Sequence, residues 1–138
     1  MLAAGVIGTL SELLLLGHFD SWLQWIPLVM LGLGLATATW HAVRPRALTV
    51  RTLQFVMALI VVTGMLGVGL HYDGNEEFEL EITPAMSGFE LVRNALTGAT
   101  PVMAPGSMAL LGLIGLAHAY RHPCITPDDG GIHSGGVL

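Results

Sequence analysis

Long apolar runs, separated by short polar segments, set the pattern of this chain. Four runs cover about residues 1–17, 26–43, 52–70 and 102–120. A helix of roughly 20 apolar residues crosses the ~30 Å hydrocarbon core of a bilayer. Because backbone polar groups in lipid must be hydrogen-bonded within their own segment, each run predicts a transmembrane helix.

The first run is predicted to remain in the protein as a helix rather than to act as a signal peptide. It has no basic start, it carries Glu12 in its middle, and no small-residue cleavage pattern precedes His18. An even number of spans then places both ends of the chain on the same side of the bilayer.

The segment between the third and fourth runs, residues 72–101, is predicted to be the one sizeable loop. Asp73-Gly74-Asn75 is typical of a turn. Residues 77–82 alternate acidic and apolar side chains, and this period of two favours an extended segment. A helical interpretation also fits so short a stretch.

A short amphipathic helix is predicted at residues 87–97 within this loop. Ser87 and Glu90 have the spacing of a capping box, and Gly98 offers a stop. The expected fold is therefore an all-α integral membrane protein. It is a four-transmembrane-helix bundle with a short amphipathic helix in the outer loop between helices 3 and 4. Residues 1–123 form this single domain, and residues 124–138 are expected to be a disordered cytoplasmic tail.

Composition supports a lipid environment. Hydrophobic residues make up 53% of the chain, charged residues 11%, and the mean hydropathy is +0.69. Soluble domains carry about 25% charged residues. The five basic residues are all arginine, against ten acidic ones, which argues against a nucleic-acid partner. The single cysteine, Cys124, excludes an internal disulfide.

The arginines predict the orientation in the membrane. Arg44, Arg46 and Arg51 lie around the second link, and Arg121 follows the fourth run. The positive-inside rule makes this side cytoplasmic, so both termini lie inside and residues 72–101 lie outside a bacterial-type inner (plasma) membrane. The acidic residues fall on the opposite side: Asp20, Asp73, Glu76, Glu77, Glu79, Glu81 and Glu90.

Glu12 is the one carboxyl group inside a predicted span. A charged side chain at such a position costs roughly 2.5–3.5 kcal/mol on insertion scales. Two interpretations remain open: a neutral, hydrogen-bonded carboxylic acid, or a site for a proton or cation. Ser107 and Thr63 are predicted to lie at a similar depth and to be within reach of a hydrogen bond.

The histidines suggest a metal site at the outer face. His18 and His71 end the first and third runs, and Asp73 and Glu76 follow closely. Imidazole and carboxylate together suit divalent transition metals. The four residues are the candidate ligands, provided that the two helix ends are adjacent.

A second alternative is haem. His18 with His71 at the outer face, and His41 with His118 at the inner face, are candidate axial ligands. Their positions at helix ends would bury a macrocycle poorly. Interfacial histidines that bind neither metal nor haem are a third interpretation.

The leading functional prediction is a non-catalytic subunit or accessory protein of a larger membrane assembly. No Ser/His/Asp order, P-loop or dinucleotide fingerprint is present. The expected partners are the lipid bilayer and other membrane subunits or further copies of the chain. Transition-metal handling at the outer face, and electron transfer by haem, remain the alternatives.

Overall fold

The described part of the chain is entirely helical. A computed structural model describes residues 2–17, 20–98, 102–120 and 122–125, which contain five α-helices and no strand. The all-α class is therefore confirmed for these residues. The helices are α1 (Leu2–Leu15), α2 (Trp22–Val43), α3 (Ala47–Ile82), α4 (Gly88–Thr97) and α5 (Met103–Ala119).

Two of these helices, α2 and α3, are long and apolar enough to cross a membrane. The helices α1 and α5 are apolar but shorter, with 14 and 17 residues. At 1.5 Å per residue they span about 21 Å and about 26 Å, less than the ~30 Å of a hydrocarbon core. The predicted set of four spans therefore stays a prediction.

The helix α3 is much longer than the sequence pattern predicts. Its 36 residues continue through Asp73-Gly74-Asn75, so the predicted turn there and the favoured extended segment at 77–82 are both wrong, and the helical alternative for 77–82 is confirmed. The side chain of Asn75 is buried and donates a hydrogen bond of 2.8 Å to the carbonyl oxygen of Ala95 on α4. This tertiary contact outweighs the turn preference of the tripeptide.

The short helix predicted at 87–97 is confirmed as α4. Ser87 occupies the N-cap, although its hydroxyl makes no capping hydrogen bond. The helix runs back along the last third of α3, with Ala95 buried beside Asn75. We call this end of the molecule the acidic end, because Asp73, Glu76, Glu77, Glu79, Glu81 and Glu90 lie there.

Close glycine contacts join α5 to α3. A Cβ atom on Gly64 of α3 would lie 2.6 Å from the backbone nitrogen of Ala109. A Cβ atom on Gly112 of α5 would lie 2.8 Å from the carbonyl oxygen of Met57. Only glycine therefore allows these two backbones to approach so closely.

The remaining helices complete the core around α3. The helix α2 packs on α3 where Gly34 faces Ile60 and Met57. The helix α1 packs against α2 and α5, where Gly5 faces Leu111. The largest fully buried side chains lie in the middle of this bundle: Leu31, Leu53, Met57, Ile60, Val6, Val50 and Thr49.

Candidate functional site

A cluster of polar side chains lies where α2 ends and α3 begins, and we call it the histidine cluster. It consists of His41 in the last turn of α2, Thr49 in the first turn of α3, and His122 just beyond α5. His41 is only 7% exposed and Thr49 only 1% exposed. Among the described residues the buried polar side chains are these two and Asn75, so two of the three lie at this end, which we call the arginine end after Arg44 and Arg46.

Thr49 determines which nitrogen of His41 carries the proton. Its Oγ1 lies 3.1 Å from the carbonyl oxygen of Arg44 and 2.9 Å from that of Arg46, so the hydroxyl proton is donated to a carbonyl. The same Oγ1 accepts the backbone N–H of Arg46 at 3.1 Å. When that proton goes to a carbonyl, the 3.0 Å contact with Nδ1 of His41 is donated by the imidazole. The neutral ring of His41 consequently presents a bare lone pair at Nε2.

His122 meets that lone pair directly. The Nε2 atoms of His41 and His122 are 3.3 Å apart, and the two rings stand edge to face at 83° with centroids 4.7 Å apart. The backbone N–H of Cys124 donates to Nδ1 of His122 at 3.3 Å. The proton of a neutral His122 is therefore on Nε2 and is donated to His41. The four bonds form one directed chain from Cys124 to the carbonyl groups before α3.

A third imidazole lies nearby. His118 is exposed in the last turn of α5, at the same end of the bundle as His41. The haem hypothesis pairs His41 with His118, whereas in the structure the ring in contact with His41 is that of His122. Haem ligation by His41 and His118 requires the His41–His122 contact to break.

The residues of the predicted outer metal site are only partly described. His18 lies outside the described residues. His71, Asp73 and Glu76 all lie on α3, the first and third half-buried and Asp73 exposed. Among the residues that the structure describes, no three of His, Cys, Asp and Glu are close enough together to hold a metal ion. The outer site stays a prediction.

Two of those outer residues line an open cavity at the acidic end. Asp73 and Glu76 share a cavity of about 550 Å³ with Glu77, Leu80 and Glu81. All five belong to α3, so this cavity is a shallow surface along one helix. It brings carboxylates together without any imidazole among its lining residues.

Glu12 lies on a face of α1 that no other described helix covers. We call Gly8, Ser11 and Glu12, which are all exposed, the open α1 face. The predicted partner Ser107 instead donates to the carbonyl oxygen of Ala104 at 2.7 Å. Glu12 thus points away from the bundle rather than into it.

The pairing of His122 with His41 is not evident from the positions of the histidines in the sequence. His118 and His122 are four residues apart, which would place them on one face of a continuous helix, but α5 ends at Ala119. Pro123 is the available signal, because the residue before a proline is biased away from the helical conformation. The chain turns after α5, and Cys124 and Ile125 pack against the core.

No family model, curated protein or solved structure matches this chain. Function must therefore be inferred from the arrangement of its own side chains.

Proposed function

We propose that this chain is a small polytopic membrane protein that serves as a non-catalytic subunit of a larger membrane assembly. Its helices α1, α2, α3 and α5 form the bundle in the bilayer, and the open α1 face contacts a helix of the partner. The observation that carries the proposal is the exposure of Glu12 on this face.

The helix α1 has two different faces. One face packs on the bundle, where Val6 and Leu13 are buried and Leu2 and Leu10 touch the core. The other face is the open α1 face, where Gly8, Ser11 and Glu12 stand at positions i, i+3 and i+4. This is the spacing of one stripe along a helix. A Cβ atom on Gly8 would meet no other atom within 4 Å. The stripe is thus free to receive another helix.

Lipid is a poor environment for this stripe. Ionisable side chains in spans almost always face a bundle interior, a water-filled cavity or another protein group. The Ser11 hydroxyl is satisfied, because it donates to the carbonyl oxygen of Ile7 at 2.9 Å. None of the described residues supplies a hydrogen bond to the carboxyl group of Glu12, so we propose that a partner helix supplies it. Gly8, one turn earlier, permits the close backbone approach that small residues give to membrane helices.

The charge distribution supports an orientation with the arginine end in the cytoplasm. Arg44 and Arg46 are exposed between α2 and α3, as the positive-inside rule requires of a cytoplasmic link. About 20 residues suffice to cross a bilayer, so the last third of the 36-residue α3 projects outside together with α4. The partner is therefore expected to be another membrane protein, or a second copy, with a small-residue helix and a polar side chain opposite Glu12.

A matched pair of glycine substitutions tests this proposal. Gly8 and Gly69 are both exposed, and an added Cβ meets nothing within 4 Å at either position. We expect Gly8→Leu to shift the chain from a larger complex to its protomer size on native gels of mildly solubilised membranes. Gly69→Leu should migrate as the wild type, and both variants should keep the wild-type unfolding temperature.

Substitutions at Glu12 then separate hydrogen bonding from charge. Glu12→Gln keeps the size and the hydrogen-bonding capacity, so the complex should survive, whereas Glu12→Leu should release it. A wild-type chain that is already protomer-sized in mildly solubilised membranes contradicts the proposal. So does a Gly8→Leu variant that stays in the complex.

A further inference from the structure

We propose that α4 and the last third of α3 form a docking surface for a basic amphipathic helix of another protein. The surface consists of Phe89, Val92 and Leu96, which we call the α4 stripe, and of the carboxylates of Glu76 and Glu79 on α3. It lies at the acidic end, is separate from the open α1 face, and does not depend on the subunit proposal.

The α4 stripe has the spacing of residues that pack on another helix. Its members are separated by three and then four positions, as the a and d residues of a heptad repeat are. Their side chains are 84%, 40% and 43% exposed, whereas Ala95, which faces α3, is fully buried. The helix α4 therefore has a second apolar side besides the one that packs on α3, and this second side is open.

The carboxylates of Glu76 and Glu79 follow one side of α3 from its contact with α4. Asn75 and Ala95 are both buried where the two helices meet, and the Asn75 side chain donates to the carbonyl oxygen of Ala95. A helix turns by about 100° per residue. Around α3, Glu79 and Glu76 are therefore displaced from Asn75 by about 40° and about 100° in the sense of the chain.

The α4 stripe lies on the same side of the helix pair as these carboxylates. Its members are displaced from Ala95 by about 60° to about 120° in the sense of the α4 chain. Because α4 runs antiparallel to α3, displacements in the sense of each chain lead to the same side of the pair. The burial agrees, since Glu76 and Glu79 are half-buried beside α4, whereas Glu77 and Glu81 are exposed.

The charge of this end favours a basic partner. Residues 72–98 contain six acidic residues, and Arg93 is the single basic one. A second copy of this chain would bring its own carboxylates against those beside the stripe, and like charges placed face to face repel. An amphipathic helix with apolar residues on one face and Lys or Arg along its edges matches both the stripe and the carboxylates.

The direction of the stripe disfavours lipid as the occupant. An amphipathic helix that binds lipid lies in the plane of the membrane interface. Here α4 runs alongside α3, whose last residue, Ile82, lies about 18 Å beyond Leu70, the end of the apolar run. The stripe therefore extends along the polar part of α3, with Phe89 nearer its tip and Leu96 nearer the apolar run.

A designed peptide is the probe for this surface. The full-length chain in phosphatidylcholine nanodiscs is titrated with a fluorescent helix of about three heptads that carries Leu at a and d and Lys at e and g. Fluorescence anisotropy measures binding above the background of empty discs. We expect saturable binding that Phe89→Ala weakens by roughly tenfold. Phe78→Ala is the matched control, because Phe78 is 47% exposed but lies on the other side of the pair, and it should change the dissociation constant by less than about twofold.

Paired charge variants separate docking from unspecific attraction. Glu76→Gln with Glu79→Gln should weaken binding by about fivefold, and a peptide with Glu in place of Lys should not bind. Glu77→Gln with Glu81→Gln removes the same charge away from the stripe and should weaken binding less. Thermal unfolding checks that every variant is folded. Equal losses in the two double variants, wild-type affinity in Phe89→Ala, or no saturable binding at all would overturn the proposal.

A fluorescent label shows what surrounds the stripe in the protein alone. Bimane is attached at Phe89→Cys in a Cys124→Ser background, and we expect quenching by aqueous iodide but none by spin-labelled lipid. Quenching by the lipid would overturn the proposal in favour of the membrane surface. A dimer that dissociates with Phe89→Ala would overturn it in favour of a second copy. Neither result bears on the complex size of Gly8→Leu, so this proposal and the subunit proposal fail separately.

Discussion

The helices α5 and α1 look alike in sequence, but Gly112 of α5 and Gly8 of α1 lie in opposite surroundings. Both are short, apolar and contain small residues at helical spacing. On α5, Gly112 is buried under the backbone of α3, where an added Cβ would lie 2.9 Å from the nitrogen of Val61. On α1, Gly8 is exposed and an added Cβ would meet nothing within 4 Å.

The difference shows what a small-residue stripe means in such a chain. The small residues of α5 are buried inside the protein, where the backbones of α5 and α3 are in contact. The α1 stripe lies on the outside, beside the exposed carboxyl group of Glu12. Small residues therefore bring two helices together inside the protein in one case, and in the other they lie on an exposed surface.

The largest effect is expected where α5 meets α3. Gly112→Val places a branched side chain against the carbonyl oxygen of Met57 and the nitrogen of Val61, so the two helices must separate. We expect a loss of about 3 kcal/mol, the upper part of the usual range for overpacked cores. Denaturant unfolding in detergent measures the loss. Leu113→Val, on the exposed side of α5, is the control, and equal losses in the two variants would contradict the close contact.

A smaller effect is expected on the packed side of α1. Val6 is 1% exposed, so Val6→Ala removes buried contacts with the bundle. Two lost methyl-sized groups correspond to about 2 kcal/mol. Ile7→Ala, at a neighbouring position that is 51% exposed, should cost much less. If the two substitutions lower the free energy of unfolding equally, the face of α1 that carries Val6 is not the one that packs on the bundle.

The smallest effect is expected at the end of α5. The side-chain amide of Gln54 donates to the carbonyl oxygen of Ala119 at 2.9 Å and ties this end to α3. Gln54→Leu removes one hydrogen bond, worth about 1 kcal/mol. Alkylation of Cys124, the single cysteine, should become faster as the segment after α5 loosens. An unchanged alkylation rate would show that the bond from Gln54 does not hold this segment in place.

The sequence predicts the kinds of element better than their extents. Apolar runs and the Ser87 and Glu90 pair lead correctly to helices, including α4. The end of α3 was missed because Asp73-Gly74-Asn75 has strong local turn preference, while the compensating bond from Asn75 to Ala95 is tertiary. The residues around Asn75 in the sequence give no sign of this contact, because its partner lies on another helix.

The candidate sites were predicted less well, for a related reason. An almost uniformly apolar helix gives no periodic signal of which face is buried, so the outward position of Glu12 was not foreseen. The pairing of His41 with His122 depends on α5 ending at Ala119 and on the chain turning back. Both features follow from helix arrangement rather than from the identity of neighbouring residues.

Because α3 is one long unbroken helix, a small tilt at one end moves its other end by a larger distance. Thr49, which orients His41, and Ile82, at the far tip, belong to one helix and are separated by about 50 Å at 1.5 Å per residue. If this rod tilts by about 5° around Thr49, its tip moves by roughly 4 Å. A small change in the tilt of α3 at the arginine end therefore displaces α4, which is hydrogen-bonded to the far end of α3 through Asn75.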